Sequence, residues 1–187
     1  CTVAEVSSYQ LESSHFFNPH IAVVLNVTPD HITRHGSMEV YQKTKEKIFA
    51  NQSKDDFLVL NYDDPRTRDM AKRANSTVMF FSHEDNLPEG TVAIDGKLVV
   101  KWHNEIHDIC RIDEMKIKGS HNVENALAAA SAAFLAGVSA EQIADVLKTF
   151  PGIEHRIEPV KTINDVVYYN DSKATNTDAA IKALETF

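Results

Sequence analysis

The sequence predicts an α/β fold, a mostly parallel sheet flanked by helices with a small antiparallel hairpin added to it. Three observations carry this. Apolar runs at 21–25, 57–60 and 77–82 alternate with helical segments, the β-α-β order whose crossovers are right-handed. The runs are short and apolar throughout, as strands covered on both faces are. From Thr91 to Ile112 the pattern changes: Val92-Ala93-Ile94 and Leu98-Val99-Val100 flank Asp95-Gly96, a two-residue type I′ hairpin signal.

Taken in order, Thr2 to Val6 reads as a short strand ending in Glu5, Ser7 and Ser8. That carboxylate and those hydroxyls either reach a ligand or cap the next turn. Ile21 to Val27 is a parallel strand, and Thr28-Pro29-Asp30 is a turn cluster at its C-terminal end, where open α/β sheets hold ligands. His31 and His35 follow. Asp30-His31 is either a cation or phosphate site or a polar loop. A helix from Met38 to Asn51 carries Tyr41, Ile48 and Phe49 near one face. Lys45 lies one turn after Tyr41 on the same side, where a lysine stem can also simply cover apolar surface.

Phe57 to Asn61 is the next strand. Asp63-Asp64-Pro65 starts a helix to Ala74 with proline at its first position, and Thr77 to Ser82 is a further strand. Trp102 and His103 pack on the antiparallel element, and neither His103 nor His107 is read as a ligand. Gly119-Ser120-His121-Asn122 opens a helix over Val123–Ala136 whose alanine-rich face permits close packing, and Gly137 stops it. Ser139 and Gln142 form a capping box for a helix that ends before Pro151. His121, Asn122 and Asn125 stand on the first turn of the alanine-rich helix. An Asn side chain carries the donor and acceptor that an adenine edge requires; alternatively Asn122 is only a cap.

Pro151-Gly152 reads as a domain joint, dividing the chain into 1–152 and 153–187. Beyond it, Arg156–Thr162 and Val166–Tyr169 form a hairpin around Asn164-Asp165. The second strand runs into Asn170-Asp171-Ser172-Lys173-Ala174-Thr175-Asn176, and a helix follows over Thr177–Phe187. Asp, Lys, Thr and Asn at one strand end can hold a nucleotide and a carboxylate substrate. So short a second unit is expected to leave a strand edge and an apolar helix face uncovered.

Composition narrows the class. Apolar residues are 43% of the 187, enough for a large core, and the net charge of −8 comes from 27 acidic against 19 basic side chains. That balance argues against broad nucleic-acid binding, which needs a positive field. Cys1 and Cys110 are the two cysteines; this argues against a disulfide framework and for a reducing, cytoplasmic location. No apolar run approaches the ~20 residues of a transmembrane helix, and no secretory signal is present. The start without Met and the close inside a helix read as a fragment of a longer protein.

The motifs together resemble a known family. EVSSYQLE at 5–12, NVTPDH at 26–31, YQKTK at 41–45, GSHNVENALAA at 119–129, GIEHRIE at 152–158 and NDSKATN at 170–176 occur in the order seen in the Mur ligases of peptidoglycan synthesis. SSYQLE and NDSKATN are most similar to the D-glutamate-adding member. The alternatives are a sister Mur ligase, a folylpolyglutamate synthase-like ligase, or a non-catalytic nucleotide-binding module.

The resemblance implies an ATP-dependent amide ligase that joins D-glutamate to UDP-N-acetylmuramoyl-L-alanine through an acyl phosphate. Its fold would be the later part of the central ATP-binding domain over 1–152 and the start of a Rossmann-like C-terminal domain over 153–187. Glu5 resembles the ligand of one Mg²⁺ and His31 that of a second. Lys45 resembles the lysine that becomes carbamylated to complete the second site. Asn122 and Asn125 resemble adenine contacts, and His155, Arg156 and Asp171 resemble ribose and phosphate contacts. Lys173 and Thr175 resemble residues near the γ-phosphate and D-glutamate, while Ser7, Ser8 and Gln10 resemble contacts to the muramoyl substrate. A cytoplasmic, monomeric full-length enzyme is implied. The family's Gly-rich G-x-x-G-K-[ST] loop, which cradles phosphate, and its UDP-binding domain are absent from these residues, so the fragment by itself is expected to be inactive.

Overall fold

The computed structural model describes residues 1–187 except Asp30, His31, Asn176 and the side chain of Asp178. Six strands form one sheet in sequential order: β1 (Ile21–Val24), β2 (Phe57–Asn61), β3 (Thr77–Ser82), β4 (Gly90–Ile94), β5 (Lys97–Trp102) and β6 (Glu105–Arg111). β1 to β4 run parallel, with Ile21 opposite Phe57 and Phe57 opposite Thr77. β5 and β6 continue the sheet antiparallel. The antiparallel element is therefore an extension of the main sheet through the β3–β4 ladder.

The period of two along each strand sorts the core. Val59, Met79, Phe81, Leu98 and Val100 face one layer. It is made by α5 (Ser120–Leu135), which crosses β1 to β4, and α6 (Ala140–Thr149), which packs on β6. Ala22, Val24, Leu58 and Leu60 face the other layer, with Tyr41, Phe49 and Met70. Leu58, Val59 and Leu60 are all 0% exposed, which is why β2 reads as an unbroken apolar run.

Small residues let α5 lie close. Ala126, Ala128 and Ala130 are buried, and the buried Ser131 hydroxyl donates to Leu127 O at 2.9 Å and pairs with the Thr91 hydroxyl at 2.8 Å. The helix ends in a Schellman turn: Gly137 at φ +85° donates to Phe134 O, and Val138 donates to Ala133 O. Ser139 and Gln142 then form the predicted capping box of α6.

The second layer holds α1 (Ser8–Glu12), α2 (Ile32–His35), α3 (Met38–Glu46) and α4 (Pro65–Met70). The helix expected to reach Asn51 ends at Glu46. Residues 47–50 continue as three-residue turns, with Ile48 N–H on Lys45 O and Phe49 N–H on Glu46 O, and these still bury Phe49. The helix expected to reach Ala74 is likewise α4 followed by a 3₁₀ turn over Ala71–Arg73. Thr2–Val6, expected as a strand, forms none: residues 1–7 carry no ladder, and Val3 is 94% exposed. β-propensity alone does not make a strand, and β1, the edge of the sheet, pairs only with β2.

Two-residue turns close three hairpins. Asp95-Gly96 (φ +50° and +73°) joins β4 to β5, as predicted. Asn164-Asp165 (φ +48° and +65°) joins β7 (Glu158–Ile163) to β8 (Val166–Asn170), which form a separate two-stranded sheet. His103-Asn104 (φ +53° and +65°) joins β5 to β6. The last helix is α7 (Thr177–Leu184). Val160, Val166 and Tyr168 on β7–β8 and Leu184 on α7 are exposed, the uncovered apolar surface that the sequence implies. Among the described residues no helix is long and apolar enough to cross a membrane.

Gly90 marks the tightest backbone approach. It sits at φ +128°, and a Cβ there would meet Phe80 O at 2.2 Å. Gly90→Ala is expected to cost ~3 kcal/mol or more, combining backbone strain with a clash that no rotamer relieves. Urea unfolding of the full-length protein measures it, and an unchanged midpoint would refute the close approach.

Candidate functional site

The strand ends are held together by two aspartates. Asp64 caps α4 by accepting from Arg66 N–H at 2.8 Å, and its other oxygen accepts from Val27 N–H at 2.7 Å. It thereby ties the loop after β1 to the end of β2. Asp63 accepts from the Ser82 hydroxyl and from His83 N–H, tying the end of β2 to the end of β3. These carboxylates fix the loops on which a site can be built.

Beside them lies a cavity of about 290 Å³. Its floor is Leu25, Asn26 and Phe81 at the strand ends, and one wall is His121, Glu124 and Asn125 on the first turns of α5. The opposite wall comes from beyond Gly152: Arg156, Asp171 and Lys173, with Lys182 from α7. Five residues singled out in the sequence, His121, Asn125, Arg156, Asp171 and Lys173, thus share one cavity. Asp171 also accepts from Ile157 N–H at 3.1 Å, which fixes the strand end against the loop bearing Arg156.

The other expected residues are placed differently. Asn122 does not line the cavity; its Nδ2 donates to Lys118 O at 2.7 Å, and the N-cap of α5 is Gly119 with no side-chain cap bond, so Asn122 is not the cap that its position also allowed. His155 sits behind the cavity at φ +68°. Its Nδ1 accepts from Asn170 Nδ2 at 2.8 Å, and its carbonyl accepts from Lys173 N–H at 3.1 Å, so it shapes the loop. Thr175 is exposed outside the lining. Ser7 and Gln10 form a reciprocal capping box at the start of α1. Glu5 is exposed two residues before that cap. His31 lies outside the described residues. Lys45 Nζ donates to the carbonyl of Asn26 at 3.0 Å and stands 5.0 Å over the Tyr41 ring. Asn26 lines the cavity, but Lys45 itself does not. Among the described residues no group of three His, Cys, Asp or Glu side chains is close enough to hold a metal ion.

Glu124 and Lys182 were not singled out in the sequence. Glu124 is three residues after His121 and so shares its helix face; Lys182 follows Ala179 by the same spacing on α7. Burial pushes the His121 imidazole below its ordinary value, helped by Arg156 and Lys182. Its Nδ1 is buried and has no hydrogen-bond partner among the described residues, so it can bond one group that enters the cavity. Burial pushes the Glu124 carboxyl the other way, up, against the pull of His83 and Lys182. The site therefore sets three cations, Arg156, Lys173 and Lys182, beside an imidazole held below and a carboxyl held above its ordinary value.

Known proteins carry the same arrangement of elements. Residues 1–133 match the family described as the Mur ligase middle domain. The UDP-N-acetylmuramoylalanine–D-glutamate ligase of Thermoanaerobacter sp. (strain X514) is 49% identical over 183 residues, covering 98% of this chain and 40% of that protein. A solved UDP-N-acetylmuramoyl-L-alanyl-D-glutamate–2,6-diaminopimelate ligase superposes with a TM-score of 0.73 at 24% identity, over 97% of this chain and 38% of that one. MurF ligase from Thermotoga maritima, solved in complex with ADP, does so with 0.65 at 19% identity, over 91% and 40%. These two structures speak to the fold alone. The chain belongs to the Mur ligase family, and it spans about 40% of the length of the curated relatives it matches.

The Glu124 shift sets a pH dependence. Its folded-state value lies above the ordinary 4.5, so the native state holds this proton more tightly than the unfolded chain does. Its contribution to stability is fully present below 4.5 and is lost as pH rises through the folded value. Glu124→Gln removes that loss. The variant's melting temperature is expected to gain on wild type between about pH 5 and about pH 7.5; a gap that narrows over this range would contradict the burial of the carboxyl.

Proposed function

We propose that the full-length protein carrying this chain is the ATP-dependent ligase that adds D-glutamate to UDP-N-acetylmuramoyl-L-alanine in peptidoglycan synthesis. The observation that carries this is identity of 48–49% with D-glutamate ligases across 98–99% of the chain. The cavity supports it by gathering Asn125, Arg156, Asp171 and Lys173 around a space open to a nucleotide. In this reading residues 1–152 belong to the central ATP-binding domain and 153–187 begin the C-terminal domain of a cytoplasmic monomer. Neither nucleic acid nor membrane insertion enters it.

The reaction has two displacements. A carboxylate oxygen of UDP-N-acetylmuramoyl-L-alanine attacks the γ-phosphorus of ATP, and ADP leaves. The amine of D-glutamate, having lost its proton, then adds to the acyl carbon, and phosphate leaves as the tetrahedral centre collapses to the amide. Catalysis is mostly placement and charge. Asn125 presents a donor and an acceptor to the adenine edge. Arg156, Lys173 and Lys182 supply positive charge where phosphate oxygens gather. His121 offers its unpartnered Nδ1 to the nucleotide, and Asp171 braces the Arg156 loop against the ribose side. Thr175, Ser7 and Gln10 remain substrate contacts in this proposal, and the last two would have to open their mutual cap to serve.

Magnesium fits this donor set under one condition. The Glu5 carboxylate suits a hard cation, whereas Lys45 as an ammonium, donating to Asn26 O, repels one. Addition of CO₂ to the neutral Lys45 amine, with loss of a proton, converts it into an anionic oxygen donor. Glu5, His31 and carbamylated Lys45 would then hold two Mg²⁺ ions, whose chemistry is to neutralise charge on the phosphate oxygens.

The test is phosphate release by the full-length protein with UDP-N-acetylmuramoyl-L-alanine, with and without D-glutamate. Release is expected to require D-glutamate. Lys45→Ala is expected to lower it ~10²-fold or more, and added acetate to restore part of the loss. A requirement for a diamino acid or a folate instead points to the sister ligases. Nucleotide binding without turnover points to a binding module.

A further inference from the structure

The Glu124 carboxyl lines the cavity, and the proposed chemistry does not use it. It stands on α5 with His121 and Asn125, at spacings that put all three on one helical face. The core fixes the rotation of that helix. Val123, Ala126 and Leu127 are buried, so the face bearing His121, Glu124 and Asn125 is the one left to the cavity. A side chain on a packed helix is held more precisely than one on a loop.

Two of these groups have no partner of their own. His121 Nδ1 is buried without a hydrogen bond among the described residues. Glu124 feels burial and the through-space charges of His83, Lys182, Asp63 and Glu84, and no hydrogen bond is among these influences. A carboxyl in this position, partly cut off from water and without a donor, costs free energy that a ligand N–H offsets.

The rest of the lining decides what that ligand group is. Arg156, Lys173 and Lys182 line the same cavity and suit phosphate oxygens. A carboxylate repels phosphate oxygens; what it accepts is an N–H or O–H. Glu124 adjoins Asn125, which presents its amide to the base edge in the reading above. On that edge the free N–H of adenine is the exocyclic 6-amino group. The carboxyl keeps an acceptor oxygen with or without its proton, so it takes this hydrogen bond in either state. A 6-oxopurine sets a carbonyl oxygen in the same place and leaves the carboxyl without its donor. A site built to hydrogen-bond a group rejects the analogue that lacks it.

We propose that Glu124 is a specificity-determining residue that accepts a hydrogen bond from the 6-amino group of the nucleotide's base and so selects adenine over 6-oxopurines. This rests on the ATP-dependent ligase reading above. The probes are ADP and inosine diphosphate, which share ribose and phosphates and differ in the base at position 6. Their dissociation constants, with that of 2′-deoxy-ADP, are measured on the full-length protein by titration calorimetry. Wild type is expected to bind ADP about tenfold or more tighter than inosine diphosphate. Glu124→Ala is expected to weaken ADP about tenfold and to leave inosine diphosphate within about twofold of wild type. Glu124→Gln presents both an acceptor and a donor. It is expected to hold ADP near wild type and to tighten inosine diphosphate, so that the preference disappears. A carboxyl that only shapes the helix would weaken both nucleotides alike. A preference within about twofold of wild type in both variants overturns the proposal. So does a variant that loses discrimination against 2′-deoxy-ADP instead, since the carboxyl would then serve the ribose. If Glu124→Ala fails to fold, the near-isosteric Glu124→Gln decides alone. Wild-type protein that binds both diphosphates equally overturns the proposal and leaves the ligase reading standing; wild-type protein that binds neither brings down the reading beneath it.

Discussion

The constraint on which the rest of the molecule depends is the two-sided burial of the parallel strands. Leu58, Val59 and Leu60 lose all contact with water, and helices cover both faces of the sheet. Such strands have no polar side to spare, so every group able to do chemistry is displaced to the loops beyond their C-terminal ends. The buried area stabilises the layers at roughly 25 cal/mol per Å² of apolar surface, and the loops are built on that rigid edge. Asp63 and Asp64 show the consequence. Both are spent on backbone N–H groups of neighbouring loops, Asp64 on Val27 and Asp63 on His83, which keeps three strand ends in fixed relation to one another.

The strand order was readable because each strand carries its own evidence. The hairpin at Asp95-Gly96 was readable too, since a type I′ turn demands positive φ at both central residues. His103-Asn104 makes the same turn with a residue that seldom signals it, and the sequence did not reveal it. The segment 2–6 has strand-forming side chains, but a strand exists only in a ladder, and no residue pattern announces whether the edge of β1 will be paired. The helix after Met38 was overrun at its C-terminal end because its apolar period persists through three-residue turns that bury Phe49 equally well.

The site was legible unevenly for a related reason. Asn125, Arg156, Asp171 and Lys173 were found because each sits beside a strand end or a helix start, and both features are local. Asn122 and Asn125 looked equivalent in the sequence. Three residues apart on one helix, they differ in what they meet: Asn122 is within reach of the Lys118 carbonyl that precedes the helix, and Asn125 is not. Glu124 and Lys182 were missed because their role comes from the packing of α7 toward α5. Nothing short-range in the sequence states that these two helices share a cavity.

That packing depends on the residue that opens α5. Gly119 holds φ +98°, and a Cβ there would fall 2.7 Å from Thr186 Oγ1 and 2.8 Å from the His121 ring. The start of α5 must therefore be bare for the end of the chain to approach it and for the imidazole to fold back toward the cavity. The same approach brings Lys182 near His121 and Glu124, where its charge lowers the proton affinity of both. For His121 this adds to the effect of burial, and for Glu124 it opposes burial. The same lysine thus adds to burial and Arg156 in holding the imidazole below its ordinary value, and works with His83 against burial at the carboxyl. On this wall the unpartnered His121 Nδ1 can bond a nucleotide's polar edge, and the phosphates are left to Arg156, Lys173 and Lys182, which line the same cavity.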